Sequence, residues 1–159
     1  MNLRISRIIL LASAAIVMAT QSAYSLMVKV PEAQLIKRSS GIVIGKVIGK
    51  QCYWSEDGAL IFTDYTVQIN KCIKGDPQVT LVKITVVGGH IGDIGLIVSD
   101  VPTFELGEEV LLYLETQANG KVGVKHGAQG KYSIVHDVIQ ESGESVRAYM
   151  ARVKIMTKE

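Results

Sequence analysis

Two long runs of β-branched residues, separated by a turn sequence, limit the folds open to this chain more than any other feature. The first is "GIVIGKVIGKQCYW" (residues 41–54) and the second is "ALIFTDYTVQINKCI" (residues 59–73). The intervening "SEDG" is typical of a turn, because Asp and Gly tolerate its backbone angles. Glycines inside a strand mark bends or close approach of another backbone, as at barrel corners. The pair therefore predicts a bent antiparallel hairpin of the kind found in β-barrels.

The rest of the chain supplies further strands. "VTLVKITVV" (79–87) predicts a third strand, and "EEVLLYLE" (108–115) a buried strand with Val110, Leu112 and Leu114 on one face. Asn119-Gly120 is a strong hairpin signal joining it to "VGVKHG". "KYSIVHDVI" (131–139) is expected to complete the strands.

A helix is predicted at each end of the strand region. Pro31 and Glu32 suit the first turn of a short helix that ends near Ser39. Near the C-terminus apolar residues recur at three- and four-residue spacing, which indicates an amphipathic helix docking one stripe; these are Val146, Tyr149, Met150, Val153 and Met156. The predicted fold is mainly β: a closed or partly open antiparallel barrel of five to seven strands, with a short N-terminal and a C-terminal helix.

The glycine-rich stretch "GGHIGDIG" (88–95) could be a phosphate loop or a barrel corner. A phosphate loop needs a helix after it, so that free N–H groups and the helix dipole meet the phosphate. Here the glycines do not fit G-x-G-x-x-G, and "LIVSDVPTF" follows, which is β-branched and stopped by Pro102. We predict a long corner loop and no nucleotide site.

The N-terminal 25 residues have the layout of a secretory signal. Arg4 and Arg7 precede an apolar core from Ile8 to Ala19, and Ala23 and Ser25 supply the small residues before cleavage. We expect export to the periplasm, cell envelope or medium, with residues 26–159 as one domain that does not span the membrane after cleavage. Without the two arginines of this segment, 15 basic residues balance 15 acidic ones. The net charge of residues 26–159 is therefore zero and gives no indication of nucleic-acid binding.

The order of these elements resembles the netrin-like module. The segments that carry the resemblance are "SSGIVIGKVIGK", "YTVQINKCIKGD", the glycine-rich loop and "FELGEEVLLYLE", within about residues 31–135. That module is an oligonucleotide/oligosaccharide-binding (OB) barrel, best known from the tissue inhibitors of metalloproteinases. The pattern is also similar to uncharacterised exported bacterial proteins. The resemblance implies an OB-like fold that binds a protein, with an exported protease as a partner and protease inhibition as one form of that binding.

The chain departs from those inhibitors in its cysteines. The inhibitors chelate the protease zinc through a mature N-terminal Cys and contain several disulfides, whereas residue 26 is Leu and only two cysteines are present. The zinc-chelating mechanism therefore does not transfer. A Cys52–Cys72 disulfide is disfavoured, since Cys52 is expected near Ile61 in the hairpin and Cys72 roughly 36 Å further along at about 3.3 Å per residue. Buried free thiols are predicted instead.

Candidate binding residues cluster around the first turn and the glycine-rich loop. They are Tyr53, Trp54, His90 and Asp93. Amphipathic aromatics are the residue type that dominates interface energetics, although Tyr53, Trp54 and Tyr65 could equally pack in the core or form a stacking platform for single-stranded nucleic acid.

Nothing in the sequence calls for a metal or another cofactor. His90, His126 and His136 match no metal-ligand spacing, and the adjacent His136 and Asp137 would face opposite ways on a strand. Two alternatives stay open beside the binding module: a small metal-dependent hydrolase of the envelope using His90, Asp93 and His126, or a structural envelope component.

Overall fold

The computed structural model describes residues 29–156, so the predicted export signal lies outside the described residues. Two α-helices flank the strands: α1 (Glu32–Arg38) and α2 (Val146–Met156). Between them lie β1 (Gly41–Trp54), β2 (Ile61–Lys74), β3 (Leu81–Val87), β4 (Gly89–Ile91), β5 (Ile94–Leu96), β6 (Glu109–Thr116), β7 (Val122–Val124), a 3₁₀ turn (Gly127–Gly130), β8 (Lys131–Val135) and β9 (Val138–Ile139).

Five strands close into a barrel, which confirms the predicted OB-like fold. The hydrogen-bonded order β1–β2–β3–β7–β6 is closed by pairing of β6 back onto β1. Four of the five contacts are antiparallel, and β3 meets β7 in parallel through the single pair Ile84–Val122. β8 and β9 extend the sheet beyond β6. Apart from this single parallel contact, the barrel strands pair antiparallel as predicted.

The long β1–β2 hairpin bends because its register is interrupted. Trp54 pairs with Ile61 next to the turn, and three register shifts follow along β1. At Gly45 the backbone of β2 comes so close that an added Cβ would lie 2.4 Å from the carbonyl oxygen of Gln68. A glycine in the strand therefore permits the close approach that its sequence context predicts.

Two apolar cores lie on either side of β1 and β6. The barrel interior holds one face of these strands together with β2, β3 and Phe104; its residues are Val43, Val47, Tyr65, Val67, Ile84, Phe104, Val110, Leu112, Leu114 and Val124. The opposite face packs beneath both helices; this second core contains Leu35, Ile36, Ile42, Ile44, Leu111, Tyr113, Ile134, Ile139, Val146, Tyr149 and Val153. The predicted stripe of α2 is thus confirmed at Val146, Tyr149 and Val153, whereas Met156 is exposed.

Two local predictions were wrong. The glycine-rich stretch forms the small β4–β5 hairpin, with Gly92 and Asp93 at its turn, instead of an irregular corner loop. The segment 131–139 is two strands joined by a tight turn, because His136 and Asp137 both take positive φ angles of 50° and 65°. Among residues 29–156, no helix is long and apolar enough to cross a bilayer.

Candidate binding site

The turn between β1 and β2 forms a rigid tip at one end of the barrel. Ser55 and Leu60 close it with a backbone bond of 2.8 Å, and the Ser55 hydroxyl accepts a hydrogen bond from the Leu60 amide at 2.9 Å. Asp57 accepts from the Ser55 hydroxyl and the Ala59 amide, and these hydrogen bonds lower the pKa of its carboxyl. The neighbouring side chain of Trp54 is therefore presented from a defined turn.

The β4–β5 hairpin is attached to the same end of the barrel. The Gly88 amide donates to the carbonyl of Ile61 at 2.7 Å, and the Gly88 carbonyl accepts from the Thr63 hydroxyl at 2.6 Å. His90 lies in β4 opposite Gly95, and Asp93 lies in the exposed turn. We call the turn 55–60, with its flanking Trp54, together with residues 89–98 the hairpin end.

The hairpin end exposes an unusual number of large apolar side chains. Trp54 is 41% exposed and Ile97 is 97% exposed. Three more belong to the same region: Leu60, Ile94 and Val98. Single exposed apolar residues are normal on a protein surface, but groups of them mark interaction sites. The sequence could not reveal Ile94 and Ile97, since aliphatic residues after a glycine-rich loop usually enter the core.

Tyr53 and Trp54 are adjacent in sequence but lie on opposite faces of β1. Tyr53 stacks on Phe62 with ring centroids 6.0 Å apart, and its hydroxyl donates to Asp64 at 3.2 Å. The Lys121 ammonium lies 5.8 Å and 5.4 Å from the Tyr53 and Phe62 ring centroids. Tyr53 therefore belongs to the outer face of β1 and β2, whereas Trp54 shares a face with Cys52.

Tyr65 does not belong to an aromatic platform. It is 5% exposed and packs against Phe104 inside the barrel, with ring centroids 4.7 Å apart. The three aromatic residues that could have formed a stacking surface are thus distributed over the outer face, the hairpin end and the core.

A cavity of about 340 Å³ opens beneath the β4–β5 hairpin. Tyr65 and Phe104 contribute to its wall together with the aliphatic residues of segment 96–101, and Lys50 lies at its rim. A cavity of this size falls in the range of small-ligand pockets. It extends the hairpin end inward toward the barrel core.

A larger cavity of about 760 Å³ lies elsewhere, between α1 and the β8–β9 region. Two of its charged side chains form ion pairs: Lys131 pairs with Glu108 at 2.7 Å, and Glu32 pairs with Arg152 at 2.7 Å. Glu141 accepts the Ser133 amide with both carboxylate oxygens. These groups hold the fold together, so volume alone does not make this cavity the better candidate.

The two cysteines lie at opposite ends of the β1–β2 ladder as free thiols. Cys52 pairs with Thr63 and not with the expected Ile61, and Cys72 pairs with Val43. Both thiols are partly buried, which is less burial than the sequence-based prediction of buried thiols implies.

The environments of the two thiols differ. The Thr63 hydroxyl lies 3.3 Å from the Cys52 sulfur, and its hydrogen bond lowers the pKa of that thiol. Burial raises the pKa, whereas the His90 amide and the Lys50 charge lower it further. Burial, followed by the charge of Asp76, raises the pKa of Cys72.

The histidines do not form a metal centre in residues 29–156. In that part of the chain no three His, Cys, Asp or Glu side chains come together as metal ligands. His90 and Asp93 share the β4–β5 hairpin, whereas His126 precedes the 3₁₀ turn with φ 55°. The structure brings Trp54, His90 and Asp93 to one end of the barrel and leaves His126 outside that group.

No protein-family model matches this chain, and no curated protein gives a significant sequence match. The structure shows an OB-like β-barrel with an exposed apolar end. A fold of this kind does not by itself define a function, which depends on the residues of the site.

Proposed function

We propose that the protein is an exported binding module whose hairpin end docks on a protein partner. The observation that carries this proposal is the set of exposed apolar side chains around Trp54, at the end of β1, and Ile97, directly after β5. Trp is enriched among the residues that dominate binding energy in protein interfaces. A rigid barrel holding such turns in fixed places loses little conformational entropy when a partner docks.

A protein partner fits the hairpin end better than nucleic acid does. The exposed side chains there are largely aliphatic, and the tip carries the acidic residues Glu56 and Asp57. Phosphate groups need a basic surface, whereas an apolar surface with a polar rim is typical of the centre of a protein interface. The resemblance to the netrin-like module suggests an exported protease as the partner and inhibition as the consequence.

A capture experiment with exported proteins tests the proposal. The full chain is expressed so that its own N-terminal segment directs export, and the protein is then immobilised. Exported proteins from the same cells are passed over the immobilised protein and over the variants Trp54→Ala and Ile97→Ser, and retained proteins are identified by mass spectrometry. Retention should fall by at least about tenfold in each variant, which corresponds to about 1.4 kcal/mol of binding energy. Val135→Ser, at a half-exposed position on β8, is the matched control and should retain the partner.

Stability measurements separate a binding role from a packing role. If Trp54 is an interface anchor, Trp54→Ala should keep the melting temperature within a few degrees. If Trp54 is needed for packing, the substitution should cost about 3–5 kcal/mol of folding free energy. A large loss of stability, or equal capture by wild type and both variants, would remove the hairpin end from the proposed function.

A further inference from the structure

An inward-facing lysine lies at the rim of the 340 Å³ cavity at the barrel's hairpin end. Lys50 is directly opposite Tyr65 in the β1–β2 ladder, and opposite residues share a face of the sheet. Since Tyr65 is buried in the barrel, Lys50 points to the interior side, where its ammonium lies 5.8 Å from the Tyr65 ring centroid. The residue itself remains exposed to solvent, so the ammonium lies at the open side of the cavity.

Lys50 has no carboxylate partner within residues 29–156. The ion pairs formed by lysines there involve Lys83, Lys125 and Lys131. The other titratable side chains lining the cavity are Tyr65, His90 and Glu105, and the Lys50 charge acts on the nearby Cys52 thiol. The rim thus offers a cation without a counter-ion above an apolar floor.

The cavity wall beneath this cation is aliphatic and aromatic. It includes Val86, Leu96, Val98, Val101, Pro102 and Phe104. An occupant that buries an alkyl group there gains hydrophobic free energy, and a negative charge on the same occupant gains a smaller attraction to the exposed Lys50 ammonium. An uncharged occupant gains only the first contribution.

We propose that this cavity binds an aliphatic group that carries a carboxylate, with the alkyl part against Phe104 and the carboxylate beside the Lys50 ammonium. The inference rests on the proposed function, because the cavity belongs to the same hairpin end. A free carboxylic acid and the C-terminal residue of a partner peptide share this chemistry.

Binding of small probes to the protein expressed from the full chain tests the inference. Octanoate represents the free acid, N-acetyl-leucine represents a peptide C terminus, and octan-1-ol is the uncharged control. Titration calorimetry should give one saturable site for at least one of the two acids, with octan-1-ol about threefold weaker than octanoate if octanoate is the acid that binds. Binding of N-acetyl-leucine alone would assign the site to a peptide terminus, and binding of octanoate alone would assign it to a free acid.

Variants at the rim identify the cation. Lys50→Met should weaken binding of the acid about threefold while leaving octan-1-ol unchanged, since the lysine is exposed. Glu105→Gln should strengthen acid binding by about twofold, since it removes a negative charge from the cavity lining. Lys46→Met, on the same strand but outside the cavity lining, should bind like wild type. Failure of both acids to bind, or equal binding of acid by the Lys50 and Lys46 variants, would overturn the inference.

The two proposals can fail separately. Partner capture that depends on Trp54 but is unaffected by Lys50→Met, together with no acid binding, would leave the proposed function standing and reject the cavity ligand. Acid binding without any Trp54-dependent capture would support the cavity ligand and reject the proposed docking of a protein partner.

Discussion

Arg152 of α2 donates two hydrogen bonds to the carboxylate of Glu32 in α1, at 2.7 and 3.3 Å. The same guanidinium bonds Glu144 at 2.8 Å and lies 5.2 Å from the Tyr149 ring centroid. Glu32 also accepts from the Tyr113 hydroxyl at 3.1 Å, and that hydroxyl bonds the Tyr149 hydroxyl. Hydrogen bonds with Glu144 and Glu32 raise the pKa of Arg152. Residues 120 positions apart thus tie the two helices together over the second core.

Removal of this helix-to-helix link should destabilise the fold through coupling of the two residues. Exposed ion pairs contribute little, but a bidentate Arg–carboxylate pair in a network is stronger. A double-mutant cycle with Arg152→Met and Glu32→Gln should give a coupling free energy of about 1 kcal/mol in urea unfolding. Arg147→Met, on the exposed side of α2, should change stability by less than about 0.5 kcal/mol. A coupling energy of zero would show that the link adds nothing to the fold.

Glu108 should make the protein sensitive to acid. Burial raises the pKa of Glu108. The net pKa is nevertheless lowered, because Lys131, the Glu105 amide and the Ser133 hydroxyl all donate hydrogen bonds to the carboxylate. A lowered folded-state pKa gives stability above the unfolded-state pKa that is lost as pH falls through the folded-state value. Glu108→Gln should therefore cost about 1–3 kcal/mol at neutral pH, and the difference should shrink as pH falls below about 4.5.

Thermal melts from pH 7 to pH 3 would test this pH dependence. Glu56→Gln, on the exposed tip, is the matched control and should melt like wild type across the range. If the Glu108 variant and wild type stayed equally far apart at pH 3, the Glu108 carboxylate would not be the group that titrates.

The barrel could be predicted from sequence because local residue patterns mark its strands. The β1 and β2 runs are bounded by a turn sequence, and Asn119-Gly120 does form the turn between β6 and β7. Local sequence patterns do not show which part of the protein packs against each face of a strand. In β1, Ile42 and Ile44 face the helices and Val43 and Val47 face the barrel, so both faces of this part of the strand are buried and simple alternation is lost.

The candidate site was only partly predictable, for a related reason. Sequence favoured Trp54 because it adjoins a turn, and Trp54 is exposed. It did not show which of Tyr53 and Trp54 lies on the outer face, since a one-residue change of register exchanges the two faces of a strand. The position of Lys50 at the cavity was not predicted, because an irregularity after Val47 resets the alternation along β1 and such irregularities have no reliable sequence signal.

Gly89 should be intolerant of any side chain. Its φ is +140°, and an added Cβ would lie 2.3 Å from the Thr63 hydroxyl oxygen and 3.1 Å from the Cys52 sulfur. Gly89→Ala should therefore cost about 2–4 kcal/mol, combining backbone strain with overpacking. Gly92→Ala, at φ +58° with no neighbour within 4 Å, should cost only the left-handed backbone penalty of about 1–2 kcal/mol. Equal losses in urea unfolding would mean that the close approach at Gly89 is relieved by local movement.

The two thiols should differ in reactivity. Thiolate is the reactive form, so the lowered pKa of Cys52 and the raised pKa of Cys72 predict faster alkylation at Cys52. With iodoacetamide near pH 7.5, peptide mass spectrometry should show Cys52 modified about tenfold faster. After unfolding without reductant, both sulfurs should react, and failure to do so would indicate a disulfide and a different hairpin register.

Thr63→Val identifies the cause of this difference. Thr63 has one hydroxyl hydrogen, which bonds the Gly88 carbonyl at 2.6 Å and can turn to the sulfur when Cys52 ionises. The variant should raise the pKa of Cys52 and slow its alkylation several-fold, bringing the rate toward that of Cys72. Thr85→Val, which removes a hydroxyl on the outer face that bonds Asp64, serves as the control and should leave the Cys52 rate unchanged. An unchanged rate in Thr63→Val would assign the lowered pKa to the His90 amide and the Lys50 charge instead.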